Sequence, residues 1–409
     1  MNIINQYKGL RRELYVLLVG RMMTNMGSMV WPMFTLILNQ KLGLSAGDIA
    51  KYMLIYSIAA FPISLIGGKL ADKYNKRNII VICDAVSIAS YVYCALVPVT
   101  AMSIVIFALA SLFQSVEWPS YDALVADFTT SKDRDRAYSL EYLGANLGLV
   151  LSPTIGGLLF NEHLNLAFLI NGIAIALSTV LIFLMIKDVH REEDDSVESV
   201  YEKAIESNAS TLRYLSTNRV VLLYFAVCAL AETVYMMWDY LMPMDMAVAH
   251  GEAGAALYGT ITSVNCIEVV LLTAVITKLL TNVKGPHRMI IGQSLILSGY
   301  VIFMFLFRSV AFCYVSIIVF TAGEIINTIA SSPFLSRRIP ASHRGRIISV
   351  LGIVCGATGA ILRLVIGKVY DVKGSFTAWL FVLGLGALIL TGLFVMGRWD
   401  RKDYKELYR

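Results

Sequence analysis

Charge is scarce in this chain: only 15% of its 409 residues are Asp, Glu, Lys or Arg. Soluble domains keep roughly a quarter charged, because their surface must face water, so an ordinary water-soluble globule is excluded. Histidine is sparse as well, and His163, His190, His250, His287 and His343 all lie in or beside loops without ligand spacing. No metal site is expected from them. The six cysteines, Cys83, Cys94, Cys228, Cys266, Cys313 and Cys355, fall inside apolar runs without a CxxC spacing and read as small core residues. No nucleotide-binding loop and no Ser/His/Asp set is present, so nothing points to an enzyme and no cofactor is expected.

What the chain does have is hydrophobic length. It is 57% hydrophobic, its mean hydropathy is +0.68, and its apolar runs reach the about 20 residues that cross a bilayer core. Twelve such runs lie near 14–38, 48–71, 79–98, 101–127, 137–160, 165–187, 219–246, 254–280, 288–307, 310–334, 346–370 and 375–397. The fold class is therefore an all-α membrane protein with twelve transmembrane helices. The start, MNIINQYKGLRREL, is polar and basic, and the run after it is too long for a signal-peptide core and lacks a small-residue cleavage site. It is expected to remain as the first span.

Twelve spans place both termini on one side, and the cations say which. Of the 34 Lys and Arg, 27 fall on the side of the two tails and only Lys41, Lys51, Arg308, Lys368 and Lys373 on the other. By the positive-inside rule both tails are cytoplasmic. The net charge of +5 then reflects topology, and nucleic acid is not needed as a partner. The hydrophilic segment 189–219 divides the chain into an N-terminal bundle (1–187), a linker (188–218) and a C-terminal bundle (219–409). Within it, 196–216 reads as an amphipathic helix on the inner surface, and Asn208-Ala209-Ser210, a glycosylation pattern on the cytoplasmic side, carries no meaning there.

The two bundles show weak self-similarity at a shift of 210 to 211 residues: Arg21 falls on Glu232, Pro32 on Pro243, Arg136 on Arg346, Ser139 on Ser349 and Gly157 on Gly367. Parallel six-span halves with a site at mid-membrane are a known plan of secondary transporters.

Between the second and third runs stands Gly68-Lys69-Leu70-Ala71-Asp72-Lys73-Tyr74-Asn75-Lys76-Arg77. It resembles the loop signature G-x-L-a-D-r-x-G-r-k of the major facilitator superfamily, with Asn75 in place of glycine, a residue that tolerates the left-handed conformation a tight turn needs. Span five carries Gly144, Gly148, Ser152-Pro153 and Gly156-Gly157. These resemble the motif G-x3-G-P-x2-G-G of the superfamily's drug:proton antiporters, with Ser152 in place of glycine. Trp31-Pro32 is similar to the proline pattern of span one. Where span four of the family carries an arginine, this chain has Phe107, so a relay that depends on that arginine is not implied.

At the cytoplasmic edge, the resemblance implies that Gly68, Asp72, Arg77 and Asp127 form a latch. Asp72 faces the start of span eleven near Gly345-Arg346, a partial positive helix end, and Asp127 pairs with Arg77. For Lys69 and Lys76 the simpler reading, topology alone, is preferred. The glycines of span five let helices approach closely, and Pro153 with Gly156 and Gly157 can bend the span; tight packing against leakage and ordinary helix packing overlap here.

Ionisable groups in mid-bilayer are expensive and mark function. Arg21 lies in span one, Glu117 in four, Glu232 and Asp239 in seven, Glu268 in eight, Glu324 in ten and Arg363 in eleven. At about 1.5 Å per residue, Glu232 and Glu324 stand 13 and 14 residues into their spans, near mid-depth, whereas Asp84 and Glu141 are shallower. Asp239 follows Glu232 by seven residues, two helical turns, which puts both on one face. With Arg21 and Arg363 the only cations among these acids, some acids are expected to bind and release protons. Glu232 and Glu324 come first, then Glu141 and Asp239. One of Glu232 and Glu324 pairing with Arg21 or Arg363 remains open, as does a packing role for Glu117 or Glu268.

Span seven, AETVYMMWDYLMPMDM, is rich in Met, Tyr and Trp. Methionine adapts its shape and aromatic faces attract organic cations. Tyr235, Met236, Trp238 and Trp118 are candidate walls of a pocket for lipophilic cations, and ordinary packing is the equal alternative. The reading is a monomeric, proton-coupled exporter of small molecules in a bacterial cytoplasmic membrane. A transporter of the same fold with a narrow natural substrate is the alternative.

Overall fold

The computed structural model of the chain describes residues 9–129, 134–187, 217–280, 283, 285–336, 338–339 and 344–405. The expected linker helix, 196–216, lies outside them. Every regular element among the described residues is helical, as lipid demands, since a span without water must satisfy its own backbone N–H and C=O groups. In chain order the helices are α1 (Arg12–Gly27), α2 (Phe34–Leu36), α3 (Ala46–Lys73), α4 (Lys76–Leu96), α5 (Ala101–Asp127), α6 (Arg134–Leu149), α7 (Ser152–Leu159) and α8 (Leu164–Met185). The second sequence half contributes α9 (Arg219–Tyr235), α10 (Met237–His250), α11 (Ala253–Leu279), α12 (Gly285–Leu306), α13 (Val310–Ser336), α14 (Arg344–Lys373) and α15 (Ser375–Asp403).

Among the described residues, eleven helical stretches are long and apolar enough to cross a membrane. The first expected span is also helical but interrupted: α1 stops at Gly27, turns run through Pro32, and α2 passes into a π-helical turn at Ile37–Lys41. Proline lacks the N–H that an uninterrupted helix would use, which accounts for the break at Trp31-Pro32. Span five breaks too, at Val150-Leu151, immediately before Ser152-Pro153 at the start of α7. The loop after α3 differs from expectation. Asn75 has φ −60° and ψ 114°, not a left-handed conformation, and its side chain accepts the Asn78 N–H at 3.1 Å as the N-cap of α4. A true left-handed turn occurs at Gly374, φ +83°, where a single residue joins α14 to α15 and only glycine is unstrained.

By contact the chain divides into two units, one of Met1–Leu44, Ile55–Asp194 and Met246–Val270, the other of Ser45–Leu54, Asp195–Asp245 and Leu271–Arg409. In the first, α1 lies against α6 and α8, and α4 against α5 and α8, around a core that includes Leu14, Leu17, Ile80, Val125 and Ile182. In the second, α9 packs on α14 and α15, and α12 on α13 and α15. Outside these cores, large apolar side chains such as Leu96, Leu279 and Ile361 are exposed, at 78%, 74% and 60%. A lipid solvent covers them at no cost.

Three carboxylates, Asp371 at the surface and Asp400 and Asp245 buried, organise the second unit. Asp371 accepts the Ala46 and Gly47 amides at 2.9 and 2.8 Å, an anion on the open N-terminus of α3. Asp400, fully buried, is held by Arg338. Asp245 accepts hydrogen bonds from the Tyr370 and Ser375 hydroxyls, each at 2.8 Å, and from Trp379 Nε1 at 2.6 Å. Removing its acceptor oxygens strands buried donors, so Asp245→Ala is expected to cost about 1–3 kcal/mol or more. A drop in the melting temperature of the purified protein, with Tyr370→Phe costing less, is the check.

Candidate functional site

Each unit holds a cavity lined by ionisable side chains among the described residues. The cavity of the second unit has a volume of about 420 Å³ and is lined by Glu232, Tyr235, Gln293, Glu324, Asn327 and Cys355 among others. Among the described residues, no Lys, Arg or His lines it. Glu232 projects from the last full turn of α9, and Glu324 from the middle of α13. Glu324 accepts the Tyr235 hydroxyl at 2.9 Å. Asn327 donates to Gln293 Oε1 at 3.4 Å, while Gln293 Nε2, on a side chain only 2% exposed, is a buried donor without a partner. Two acids and an unused amide donor thus face about the volume of a small organic molecule.

The cavity of the first unit, about 290 Å³, is lined by Arg21, Tyr56, Gln114, Glu117, Trp118 and Asn171 among others. The Arg21 guanidinium stands 3.8 Å from the Trp118 ring centroid, a cation–π contact, and lies within electrostatic reach of Glu117, Asp122 and Glu141. Glu141 Oε1 is buried without a hydrogen bond. The Glu117 carboxyl also lies within electrostatic reach of Asp84 of α4, which accepts the Thr179 hydroxyl at 2.6 Å.

Glu232, Glu324 and Tyr235 come together on one cavity, and Arg21, Glu117 and Trp118 on the other. Asp239 does not join Glu232: the helix is interrupted at Met236, between α9 and α10, which shifts the register that a two-turn spacing assumes. Asp239 lies within electrostatic reach of Arg363 and of Tyr235, the partner of Glu324. Arg363 Nη1 contacts Met53 Sδ at 3.2 Å, and its Nε is buried without a hydrogen bond. Neither arginine lines the cavity of Glu232 and Glu324. Met236 and Trp238 are also absent from that lining; Trp238 is 5% exposed and stacks on Phe320 with centroids 5.2 Å apart. Glu268 is buried in α11 and lines neither cavity.

At the joint between α3 and α4, Asp127 pairs with Lys76 at 2.8 Å, not with Arg77 as expected. Arg77 donates to the Ile186 carbonyl at 3.1 Å and its guanidinium lies 5.2 Å from the Phe183 ring centroid. The reason is local: as residues one and two of α4, the two cations point about 100° apart, and Asn75 as N-cap sets which faces α5. The side chains of Asp72 and Arg346 lie outside the described residues. Phe107, at the position of the family arginine, is 1% exposed and packed between Phe34, Tyr91 and Phe168.

The span-five glycines sit against backbone. A Cβ on Gly148 would lie 2.7 Å from the Met22 carbonyl oxygen and one on Gly156 2.5 Å from that of Met29, while Gly144 meets Leu18 and Gly157 the Ala255 carbonyl. The Pro153 carbonyl faces Gly259. Gly68, by contrast, has open space around its Cβ position. Gly148→Ala is therefore expected to destabilise the protein by about 1–3 kcal/mol, whereas Gly68→Ala gains up to about 1 kcal/mol of helix propensity. Thermal melts of the two purified variants, shifting in opposite directions, are the check.

Sequence reasoning passed over Thr179, Asn171, Gln293 and Asn327, which are neutral and blend into apolar runs. It also passed over Asp245, Asp371 and the Arg338–Asp400 pair, which stand at span ends where charge is unremarkable.

Similarity to known proteins follows the same geometry. A "Na(+), Li(+), K(+)/H(+) antiporter" of Planococcus maritimus is 26% identical over 95% of both chains. The class C tetracycline resistance protein of Escherichia coli is 23% identical over 85% of this chain and 86% of its own. A crystal structure of a POT family transporter in complex with 5-aminolevulinic acid superposes with a TM-score of 0.78 at 15% identity, covering 97% of each chain, which speaks for the fold alone. The profile of the Major Facilitator Superfamily matches residues 16–361. With that match across most of its length and spans to suit it, the chain belongs to the Major Facilitator Superfamily and is a multi-pass membrane transporter.

Proposed function

We propose that the chain is a proton-driven exporter of a bacterial cytoplasmic membrane, exchanging lipophilic cations for protons by alternating access. The observation that carries this reading is that Glu232 and Glu324 line one cavity with no cation among its described lining residues. Carboxyls facing a cavity away from bulk water are poorly tolerated as anions unless protons occupy them or a cation arrives. A cationic substrate entering that cavity displaces the protons, and their return expels it.

In this reading Glu232 and Glu324 couple, Tyr235 holds Glu324 in place, and Glu141 serves the first unit. Gln293 offers its unused amide hydrogen to a substrate acceptor. Asp72, with Gly68, Arg77 and Asp127, latches the cytoplasmic edge. The resemblance of span five to the drug:proton antiporter motif and the likeness to a tetracycline resistance protein support export. A second reading, exchange of small monovalent cations, is favoured by the antiporter of Planococcus maritimus and its near-complete overlap with this chain.

A panel of lipophilic cations in an efflux-deficient host, with acid release followed in inverted vesicles, tests the proposal. Broad protection with acid release supports it. Protection against a single compound favours a narrow natural substrate, and transport without proton movement contradicts the exchange.

A further inference from the structure

The cavity of the second unit carries a donor that the chain itself does not use. Gln293 of α12 is 2% exposed, and its Nε2 is buried without a hydrogen bond. Its orientation follows from its neighbour: the Asn327 amide NH2 needs an acceptor and finds Gln293 Oε1 at 3.4 Å, which turns Nε2 away from Asn327. Two hydroxyls of the same lining are already engaged. Tyr235 gives its own to Glu324 at 2.9 Å, and Ser331 gives its own to the Asn327 backbone carbonyl at 2.8 Å. A buried N–H left unpaired is costly, and a ligand oxygen that accepts it removes that cost.

The packing of α12 on α13 sets where that donor stands. Gly292 and Gly323 face each other where the helices cross: a Cβ on Gly323 would lie 2.4 Å from the Gly292 carbonyl oxygen, and one on Gly292 2.9 Å from that of Gly323. Larger side chains there would force the backbones apart. Gln293 and Glu324 each follow one of these glycines, so they start from one level of the crossing, and both line the cavity. Asn327, which holds Gln293, comes three residues after Glu324 on the same face of α13, about 5–6 Å away between Cβ atoms. The amide donor and the Glu324 carboxyl are thus about one helical turn apart, with Glu232 of α9 on the same cavity.

We propose that this cavity takes a protonated amine that also carries a carbonyl oxygen: the carboxyls of Glu324 and Glu232 receive the ammonium, and Gln293 Nε2 donates to the carbonyl. A carbonyl oxygen offers lone pairs and brings no hydrogen that would need an acceptor of its own. The ammonium meets the acids through charge-assisted hydrogen bonds, which a quaternary cation cannot form. A volume of about 420 Å³ admits both groups with an apolar body, for which Ile296, Ile389 and Leu393 supply the wall. This ligand class rests on the exporter reading above and narrows its lipophilic cations to amines with a carbonyl a few bonds from the nitrogen. Gln293 is then the residue that selects among them.

Calorimetric binding to the purified full-length chain in detergent tests the site with a matched pair of compounds. One is phenylalanine 2-naphthylamide, whose ammonium and carbonyl stand a few bonds apart; the other is the same molecule with a methylene in place of the carbonyl. The wild type is expected to bind the first about tenfold more tightly, the worth of a good hydrogen bond to a buried donor. Gln293→Leu is expected to erase that preference. Each preference is a ratio of two affinities in one sample, so a partly folded variant still reports it. Where Gln293→Leu yields no folded protein, Gln293→Met, unbranched like glutamine and without its N–H, carries the same expectation. A wild type that binds both compounds alike, or a variant that keeps the preference, overturns the role of Gln293 and leaves the exporter reading standing. A wild type that binds neither compound contradicts the exporter reading, and the ligand class falls with it.

Discussion

Glu324→Gln is expected to cut transport driven by a pH gradient about 5- to 150-fold, the range of an ordinary coupling free energy of about 1–3 kcal/mol. Glutamine keeps the shape and can still accept the Tyr235 hydroxyl, which now bonds Glu324 at 2.9 Å. What it loses is the ability to take up and release a proton. Binding and energy-independent exchange of a labelled substrate should therefore survive while concentrative transport fails. Tyr235→Phe offers a graded comparison. It removes the hydroxyl but leaves the carboxyl titratable, so transport should persist with a displaced pH profile. Parallel measurement of binding and of gradient-driven flux separates the two effects. Equal loss of both in Glu324→Gln indicates a binding residue without a coupling role.

Arg338→Met is expected to destabilise the protein by about 3–5 kcal/mol, because it strands a buried charge. Asp400 is fully buried, and Arg338, 7% exposed, meets it through two nitrogens, Nη2 at 2.6 Å. The guanidinium also lies 3.6 Å from the Phe334 ring centroid and donates to the Phe334 carbonyl at 2.7 Å, tying the end of α13 to α15. The double variant Arg338→Met with Asp400→Leu removes both charges together and should recover most of the loss, since a buried ion pair often contributes little net stability over apolar residues. Melting temperature and yield of folded protein report both. A single variant that melts like the wild type contradicts the account of this pair.

Much of this was legible in the residues. Each long apolar run forms helix, because length and hydropathy alone decide what can lie in lipid. The acids of mid-span stood out for the same reason. What the runs conceal is phase. Glu232 and Asp239 are seven apart, but the interruption at Met236 parts them, and no local residue type announces it as Pro32 announces the break in span one. Pairing is hidden as well: Lys76 and Arg77 are equivalent cations until Asn75 caps α4 and fixes which one faces Asp127. Asp84 looked shallow by count along its span, yet it is buried and bonded to Thr179, a partner on a helix far away in sequence.

The central claim is that protons and a cationic substrate compete for the carboxyls facing these cavities. Flux into proteoliposomes, with pH gradient and membrane potential imposed independently, tests it most directly. Each net charge moved draws about 2.3 kcal/mol per 100 mV, so potential alone moves a cation through any leak. A pH gradient at clamped potential does so only by exchange. The account predicts concentrative movement of a lipophilic cation under the pH gradient alone, lost when Glu232 and Glu324 are both replaced by glutamine. Movement that follows the potential and ignores the pH gradient would contradict it.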